Sequence, residues 1–461
     1  MTKLLRSVSF LLYATVRVQS NDNGLAQTPP MGWRSWNQFG QNVNQSLMIS
    51  IMHSMVHRGR VDHNGIPTSL CDLGYCDAGL DDNWQACHSP LAAPGMNYHD
   101  VNGYPIVNTS SFPDLRIMVD TAHSLGLKAG FYGNNCICSD NCRNETECEM
   151  QISADVDAFI NWGFDSWKLD GCGGENNLTL FDTYLRERLP DKPILVENCH
   201  WGEEAYDPDP SLPPREGCPF NFYRSGGDNQ PNYEAILGEL AMLEKYRARN
   251  MSIPGCWAYP DMLEVGVRLD DANKTIALSQ AESRSHFGAW CVVSSPLFLT
   301  HDLRDEDVND HIWSIISNRE AIAVNQAYAG DSGGVYEQVP PPVETNTENY
   351  MEMKSSGATS SILRRRILGD FNNFNTISQL PSYQYLSKPL GGGKVAILLM
   401  NTFTESQMLE ATFEDVPGLS TCENGYMVRN VWTHTDEGVF ETTWQVLVDG
   451  HDAAFIVVYC H

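Results

Sequence analysis

The chain is short of basic residues and lacks any long apolar segment. Its 461 residues hold 30 Lys and Arg against 58 Asp and Glu, which gives a formal net charge of −28. Such a surface repels phosphate backbones and anionic headgroups, so the sequence argues against nucleic acid and anionic membranes as partners. No run is long and apolar enough to span a bilayer, and we expect no membrane span. The charge is compatible with an acidic compartment, where partial protonation relieves repulsion.

The N-terminus has the pattern of a secretory signal. Lys3 and Arg6 form a basic region, residues 7–16 are mostly apolar, and Val18-Gln19-Ser20 offers a cleavage site. We therefore predict a signal peptide over residues 1–20. A membrane anchor is the alternative, which the short apolar stretch disfavours.

Sequons and cysteines also indicate export. Six asparagines are each followed two positions later by Ser or Thr: Asn44, Asn108, Asn144, Asn177, Asn250 and Asn273. Fourteen cysteines in an exported chain predict several disulfides. The expected destination is secretion, or a lysosome or vacuole.

Residues 27–330 show a repeated alternation of short apolar strands with longer helical stretches. The predicted strands are Met31–Trp36, Ala78–Trp84, Lys128–Gly133, Ser166–Gly171, Pro193–Asn198, Phe220–Tyr223, Met251–Trp257 and Cys291–Leu299. The predicted helices include Phe112–Leu125, Asp155–Trp162, Tyr233–Arg249 and Thr275–Ala289. This alternation predicts parallel βα units that close into a (β/α)8 barrel. An open doubly wound sheet is the alternative, but no glycine-rich phosphate loop follows the first strand.

The sequence pattern changes after about residue 330, where Gly-Gly and Pro-Pro pairs precede segments typical of antiparallel strands. These strands are Val395–Met400, Met427–Trp432, Thr442–Val448 and Ala454–Tyr459. We predict a C-terminal β-sandwich over residues 335–461. Cys422 and Cys460 are the only cysteines in it, so a bond between them is expected.

The most informative short segment is residues 165–172, Asp-Ser-Trp-Lys-Leu-Asp-Gly-Cys. It has the pattern of a buried strand that ends in a carboxylate. Lys168 and Asp170 lie two positions apart, so on a strand they point to one face. An acid at the C-terminal end of a barrel strand lies where barrel enzymes keep their chemistry. The alternative interpretation is an ordinary salt bridge at a strand end.

The other predicted strands also end in polar and aromatic residues, which a closed barrel would bring to one face. They are Trp33, Trp36, Asp81, Asp82, Trp84, Tyr132, Glu197, His200, Trp201, Arg224, Asp228, Trp257, Tyr259 and Asp261. Aromatic faces stack on the C–H surfaces of a sugar, while charged groups bind its hydroxyls. The sequence therefore predicts a carbohydrate pocket.

Two carboxylates are needed to cleave a glycosidic bond. Asp170 suits the nucleophile, because Lys168 favours its ionised form. Asp228 suits the acid/base, because its loop, Ser225-Gly226-Gly227-Asp228, can approach a leaving group closely. An aspartate in such a loop can also be a simple turn residue.

Six segments, in order, resemble the α-galactosidase and α-N-acetylgalactosaminidase family, glycoside hydrolase family 27. They are Thr28–Trp33, Leu80–Asp82, Lys168–Cys172, Arg224–Asp228, Pro260–Leu263 and Ser295–Phe298. The C-terminal region resembles the family's β-sandwich only loosely. The resemblance implies a retaining glycosidase on a (β/α)8 barrel that acts on terminal α-galactosides and uses neither a cofactor nor a metal. A homodimer is left open.

The resemblance also implies residue roles, with Asp170 as nucleophile and Asp228 as acid/base. Trp36 would lie under the sugar ring, Asp81 and Asp82 would hold the O4 and O6 hydroxyls, and Lys168 would contact O3 and O4. Arg224 would lie on the O2 side and Tyr132 near the nucleophile. The predicted substrate-binding set is Trp36, Asp81, Asp82, Tyr132, Lys168, His200, Trp201, Arg224 and Asp261.

The chain departs from the family at several cysteine positions. Many relatives have a cysteine directly after the Asp-Asp pair and another shortly after the first strand, where this chain has Asn83 and residues 39–42. Loss of one disulfide would remove both partners together. Cys199 and Cys218 stand where the family places another bridge. Cys172 is expected to pair with Cys136 or Cys138.

Two further departures concern specificity. After Cys199 galactose-specific members have Glu and N-acetylgalactosamine-specific members have Ser, whereas this chain has His200. A bulky histidine leaves little room for an acetamido group and favours a free 2-hydroxyl; a packed histidine without substrate contact is the alternative. At Tyr259 relatives often carry Asp. Activity on N-acetyl-α-galactosaminides, β-L-arabinopyranosides or isomaltose-type glucans, and a non-catalytic sugar-binding role, stay open as alternatives.

Overall fold

The structure is a computed structural model that describes residues 23–133, 136–174, 177–199, 218–269, 275–339 and 383–461. The predicted signal peptide, His200, Trp201 and the sequon at Asn273 lie outside these residues. Among the described helices, none combines the length and apolar character that crossing a membrane requires.

Eight parallel strands form one sheet in the order β8-β1-β2-β3-β4-β5-β6-β7. The strands are β1 (Met31–Arg34), β2 (Asp77–Gly79), β3 (Lys128–Gly133), β4 (Ser166–Asp170), β5 (Leu195–Cys199), β6 (Phe222–Arg224), β7 (Trp257–Tyr259) and β8 (Leu297–Leu299). Because the last strand pairs with the first, the sheet curls back on itself.

The seam between β7 and β8 is closed by bonds that begin just beyond β7. The Leu263 N–H donates to the Phe298 carbonyl at 2.9 Å, and the Thr300 hydroxyl donates to the Leu263 carbonyl at 2.6 Å. Inside the barrel the Phe298 and Phe222 rings stack 5.5 Å apart. The predicted eight-stranded barrel is therefore confirmed.

Eight helices of two or more turns surround the strands among the described residues. They are α1 (Gln45–Val56), α2 (Leu115–Ser124), α3 (Glu145–Trp162), α4 (Leu178–Arg188), α5 (Tyr233–Arg247), α6 (Gln280–Val292), α7 (Glu306–Ile316) and α8 (Arg319–Gln326). Each starts at an Asn, Asp or Ser whose side chain accepts a backbone N–H of the first turn. Such caps satisfy amides that the helix leaves unpaired, which explains where the helices begin.

Three predicted strands had wrong bounds, because β7 and β8 start later than predicted and β2 ends earlier, and the backbone shows why. Residues 251–256 precede β7 as a turn, in which Pro254 is followed by Gly255 at φ +81°. Before β8, Ser294 at φ +55° and Pro296 separate the end of α6 from the strand. After β2, Asn83 has φ +83°, so the extended run does not reach Trp84. Positive φ angles interrupt a strand in each case.

The described residues of the C-terminal region, 334–339 and 383–461, form eight antiparallel strands. They are β9 (Gly334–Val339), β10 (Tyr383–Gly391), β11 (Lys394–Asn401), β12 (Gln407–Thr412), β13 (Tyr426–Asn430), β14 (Thr435–Phe440), β15 (Thr443–Val448) and β16 (Ala453–Cys460). Six form a sheet in the order β9-β10-β11-β16-β13-β14, and β12 pairs with β15. The predicted sandwich and the Cys422–Cys460 bond are confirmed. Four of its strands, β9, β10, β12 and β14, were not predicted from the sequence.

Strand β11 shows how the two regions share a core. Ile397 and Leu399 belong to the sandwich interior, whereas Leu398 and Met400 pack with the barrel core. This alternation follows from the two-residue period of a strand. Polar contacts add to the junction, since Arg284 of α6 forms an ion pair with Asp452.

Candidate active site at the C-terminal ends of the strands

An ion pair joins the ends of β2 and β4. Lys168 Nζ lies 2.8 Å from Asp81 Oδ2, and both side chains are almost fully buried. Burial is the largest single influence on Lys168 and opposes its charge, but the acidic groups around it, led by the Asp81 carboxylate, together raise the pKa of Lys168 well above its usual range. The Asp81 N–H donates at 3.0 Å to the hydroxyl of Ser35, which lies directly after β1. Residues at the ends of β1, β2 and β4 therefore fix this pair.

Asp170 ends β4 and is only partly buried. The Tyr132 hydroxyl of β3 donates to Asp170 Oδ2 at 2.7 Å, and the Gly171 N–H donates to Oδ1 at 2.7 Å. Burial, and next the charge of Asp170, raise the pKa of Tyr132 well above its usual range, so its phenol keeps the proton that it donates. Asp170 is thus held in one orientation at the rim of the barrel.

A disulfide lies beside Asp170. Cys136 and Cys172 are bonded, and they link the segments that follow β3 and β4. This resolves the choice between Cys136 and Cys138 in favour of Cys136, because Cys138 pairs with Cys87.

Asp82 is buried and turned toward that linked segment. Its Oδ2 accepts the Cys136 and Ile137 N–H groups at 3.0 and 2.9 Å. Burial raises the pKa of Asp82 to about 6, although these backbone donors oppose the shift. Through Oδ2, Asp82 therefore fastens the loop after β3.

Arg224 at the end of β6 organises the opposite side. Its guanidinium is buried, lies 3.0 Å from Asp261 Oδ2, and donates to the Gly227 carbonyl. Asp228 Oδ1 lies 3.5 Å from the same nitrogen, and its side chain is 49% exposed. Asp261 also accepts the Asn229 N–H at 2.8 Å. Arg224 and Asp261 together hold both ends of the segment that carries Asp228.

Trp36 lies in a four-residue helical turn, Trp36–Phe39, directly after β1. It is partly buried and packs against the apolar barrel interior, which includes Phe222, Tyr259 and Phe298. Tyr259 is a member of this interior, where its ring packs edge-on against Phe222.

The chain replaces one expected disulfide by a hydrogen bond. Asn83, which stands where many relatives have cysteine, donates from Nδ2 to the Gln41 carbonyl at 2.7 Å. The bond connects the segments after β1 and β2, as the missing bridge would.

The predicted bond between Cys199 and Cys218 is wrong. Cys218 pairs with Cys256, at the start of β7, and Cys199 is a buried free thiol. Cys199 ends β5 and lies inside the barrel, 3.6 Å from Arg224 Nη1. The remaining described bonds are Cys71–Cys76 and Cys142–Cys148.

A second charged layer beneath the site was not predicted. Arg34 of β1 forms an ion pair with Asp77 at 2.5 Å, and its Nε lies 3.9 Å from Glu197 Oε2. Glu197 is the register partner of Lys168, so it lies one strand away from the Lys168–Asp81 pair. The sequence predicted that Glu197 lies at a strand end, but its burial depends on closure of the barrel.

Glu197 makes stability depend on pH. Burial raises its pKa from 4.5 to about 7, against the opposing charges of Lys168 and Arg34. The folded protein therefore binds this proton more tightly than the unfolded chain. The resulting stability is complete below about pH 4.5 and is lost as the pH rises through about 7.

We expect Glu197→Gln to flatten this dependence. Between pH 4.5 and 8 the wild-type free energy of unfolding should fall by roughly 3 kcal/mol more than that of the variant. Unfolding followed by circular dichroism at both pH values measures it, with the exposed Glu187→Gln on α4 as control. Parallel slopes for wild type and Glu197→Gln would contradict the assignment.

Two groups of described residues place three potential metal ligands together. In the first, Cys136, Asp170 and Cys172, both sulfurs are bound in the disulfide. In the second, His63, Glu320 and His434, the two imidazole rings stack 3.9 Å apart and Glu320 binds Arg429. Among the described residues, therefore, neither group provides three uncommitted metal ligands in the predicted pocket.

A barrel with paired carboxylates, a buried lysine and a buried arginine at the C-terminal ends of its strands has the architecture of the barrel glycoside hydrolases. Residues 28–327 match the family described as Alpha galactosidase A, and residues 381–458 match the Alpha galactosidase C-terminal beta sandwich domain. The chain belongs to this α-galactosidase family, as the resemblance predicted.

Relatives from plants match over nearly the whole chain. Alpha-galactosidase 2 of Arabidopsis thaliana is 32% identical over 442 residues, covering 93% of this chain and 89% of the relative. Alpha-galactosidase of Cyamopsis tetragonoloba is 28% identical and covers 96% and 89%. The solved α-galactosidase of Saccharomyces cerevisiae has a TM-score of 0.70 at 18% identity, with 96% and 100% covered, which supports the shared fold.

Proposed function

We propose that the protein is a retaining exo-glycosidase that hydrolyses terminal α-D-galactosyl residues of oligosaccharides or glycoconjugates. The observation that carries this proposal is the orientation of Asp170 by Tyr132, opposite a loop in which Arg224 and Asp261 hold Asp228. Membership of the α-galactosidase family supports the choice of sugar.

The reaction is a double displacement. In the first step an Asp170 oxygen attacks the anomeric carbon, the glycosidic C–O bond breaks, and Asp228 gives its proton to the departing oxygen. In the second step Asp228 takes a proton from water, which attacks the same carbon and releases Asp170. The Tyr132 hydroxyl and the Gly171 amide orient Asp170 for the in-line attack.

The sugar lies between the Lys168–Asp81 pair and the Arg224 side of the pocket. Trp36 stacks under the ring, and Asp81 and Lys168 bind hydroxyls by charge-assisted hydrogen bonds. Asp82 binds O6 while it fastens the loop after β3. Arg224 lies on the O2 side and Asp261 supports it, while His200 and Trp201 complete the proposed substrate-binding set.

A panel of nitrophenyl glycosides tests the proposal. We expect turnover of the α-galactoside between about pH 4 and 7, where catalytic carboxylates operate. N-acetyl-α-galactosaminide, β-L-arabinopyranoside and α-glucoside should be turned over at least about tenfold more slowly. Absence of α-galactoside turnover, or a stronger signal from another glycoside, would overturn the assignment.

Export and glycosylation complete the proposal: the protein is secreted or lysosomal or vacuolar and carries N-glycans. Three sequon asparagines, Asn44, Asn144 and Asn177, are helix N-caps. The cap uses Oδ1, so Nδ2 stays available for a glycan. Enzymatic deglycosylation with mass spectrometry tests the glycans, and an unchanged mass would refute them. Light scattering distinguishes a monomer from the homodimer that the sequence leaves open.

A further inference from the structure

A buried carboxyl on α5 lies behind the segment that carries Asp228. Glu239 is 3% exposed, on a helix whose other buried residues are mostly apolar, such as Ile236, Leu240 and Leu243. Burying a carboxyl among such residues is costly unless the group is bound or neutral. Helix packing therefore gives no reason for an acid at this position.

Glu239 reaches the loop at its two glycines. A Cβ added to Gly226 would meet Glu239 Oε2 at 1.8 Å, and its three nearest atoms all belong to this carboxyl. The carboxyl also interacts with the Gly227 N–H. Because Arg224 binds the Gly227 carbonyl, the peptide groups on both sides of Gly227 are held. The next residue along the chain is Asp228.

The surroundings of Glu239 favour its neutral form, chiefly because the carboxyl is buried. Burial raises its pKa well above the usual range, and Asp261 and Asp228 act in the same direction, against Arg224 and the Gly227 amide. A neutral carboxyl can hold the loop without adding a third negative charge beside Arg224.

We propose that Glu239 is a positioning residue for Asp228. The Glu239 carboxyl fills the space against Gly226 and fixes the Gly227 peptide, so that Asp228 meets the departing oxygen. This inference rests on the proposed function. It extends the site to a helix whose sequence pattern indicates packing alone.

The predicted consequence depends on the leaving group. A nitrophenolate-type oxygen departs without a proton, whereas an alkoxide needs one from the general acid, whose contribution is typically 10²–10⁴-fold. Glu239→Ala should therefore lower kcat/KM for methyl α-galactoside by about 10- to 100-fold, because a misplacement near 1 Å costs about that much. For dinitrophenyl α-galactoside kcat/KM should change less than about threefold, since this ratio reports only the steps through glycosylation.

Matched variants separate positioning from general damage. Glu239→Gln keeps the shape and the acceptor for Gly227, so it should restore methyl α-galactoside turnover to within about threefold of wild type. Glu234→Ala makes the same truncation at an exposed position of α5 and should leave both substrates unaffected. Equal losses on both substrates in Glu239→Ala would overturn the proposal.

A double-mutant cycle tests the contact itself. Gly226 does not have a positive φ, so alanine is compatible with its backbone, and Gly226→Ala alone should give the same leaving-group-dependent loss. With Glu239→Ala present the added methyl has space, so kcat/KM of the double variant for methyl α-galactoside should stay within about threefold of that of either single variant instead of falling by the product of the two losses.

Each outcome is informative. Losses that simply multiply would contradict the contact between the two residues. If Glu239→Ala does not fold, an unaltered substrate ratio in Gly226→Ala would overturn the proposal by itself. If wild type turns over neither galactoside, the proposed function has failed, and that result is distinct from failure at Glu239.

Discussion

Asp170→Asn should lower kcat for nitrophenyl α-galactoside by about 10⁴-fold or more, while the variant folds like wild type. The amide keeps the shape of the side chain and can still accept the Tyr132 hydroxyl, which donates at 2.7 Å. It cannot serve as the attacking oxygen, and removal of a nucleophile typically costs four to six orders of magnitude. Initial rates with the purified variant measure kcat, and thermal unfolding checks the fold.

Asp165→Asn is the matched control, because it makes the same change just before the opposite end of β4. Asp165 pairs with Lys192 and His123 outside the predicted pocket. At the N-terminal face of a barrel a residue serves stability rather than chemistry. Near-normal rates for Asp165→Asn with a lost rate for Asp170→Asn fit the account, whereas a normal rate for Asp170→Asn removes it from the nucleophile role.

Lys168→Met should lower the free energy of unfolding more than any other single substitution named here, by about 3–5 kcal/mol. It leaves the buried Asp81 carboxylate without the ammonium that lies 2.8 Å away, and an uncompensated buried charge is costly. Because Lys168 is also proposed to bind sugar hydroxyls, KM for the α-galactoside should rise. Urea unfolding at pH 6 measures the first effect and initial rates the second.

A double variant shows how much of this loss of stability depends on the interaction between Lys168 and Asp81. Asp81→Asn combined with Lys168→Met removes both charges, so the double variant should be less destabilised than the sum of the single ones by at least about 1 kcal/mol. Additive losses would mean that the two side chains do not depend on each other for their burial.

Sequence patterns predicted the barrel because each strand is short, apolar and followed by a helical stretch. They also predicted Lys168, Asp170 and Asp228, because carboxylates at strand ends and in glycine-rich loops carry chemistry in such folds. The starts of β7 and β8 were predicted too early, since an apolar run continues through turns at Gly255 and Ser294 that only backbone conformation reveals.

Other parts of the site depend on three-dimensional closure. Arg34 and Asp77 read as ordinary strand residues until the barrel brings them beside Glu197. Asp82 reads as a sugar contact, yet its Oδ2 accepts the amides of Cys136 and Ile137 and its Oδ1 accepts the amide of Asn83. The Cys218–Cys256 bond could not be inferred from spacing, because β6 lies between its two ends in the chain.

Covalent trapping tests the central claim most directly. A fluorinated galactosyl fluoride slows both steps of a retaining glycosidase and lets the glycosyl-enzyme accumulate. After digestion, mass spectrometry should find one glycosyl adduct on the peptide that contains residues 165–172, attached to Asp170. Binding of the sugar without an adduct, or an adduct on another residue, would contradict the account.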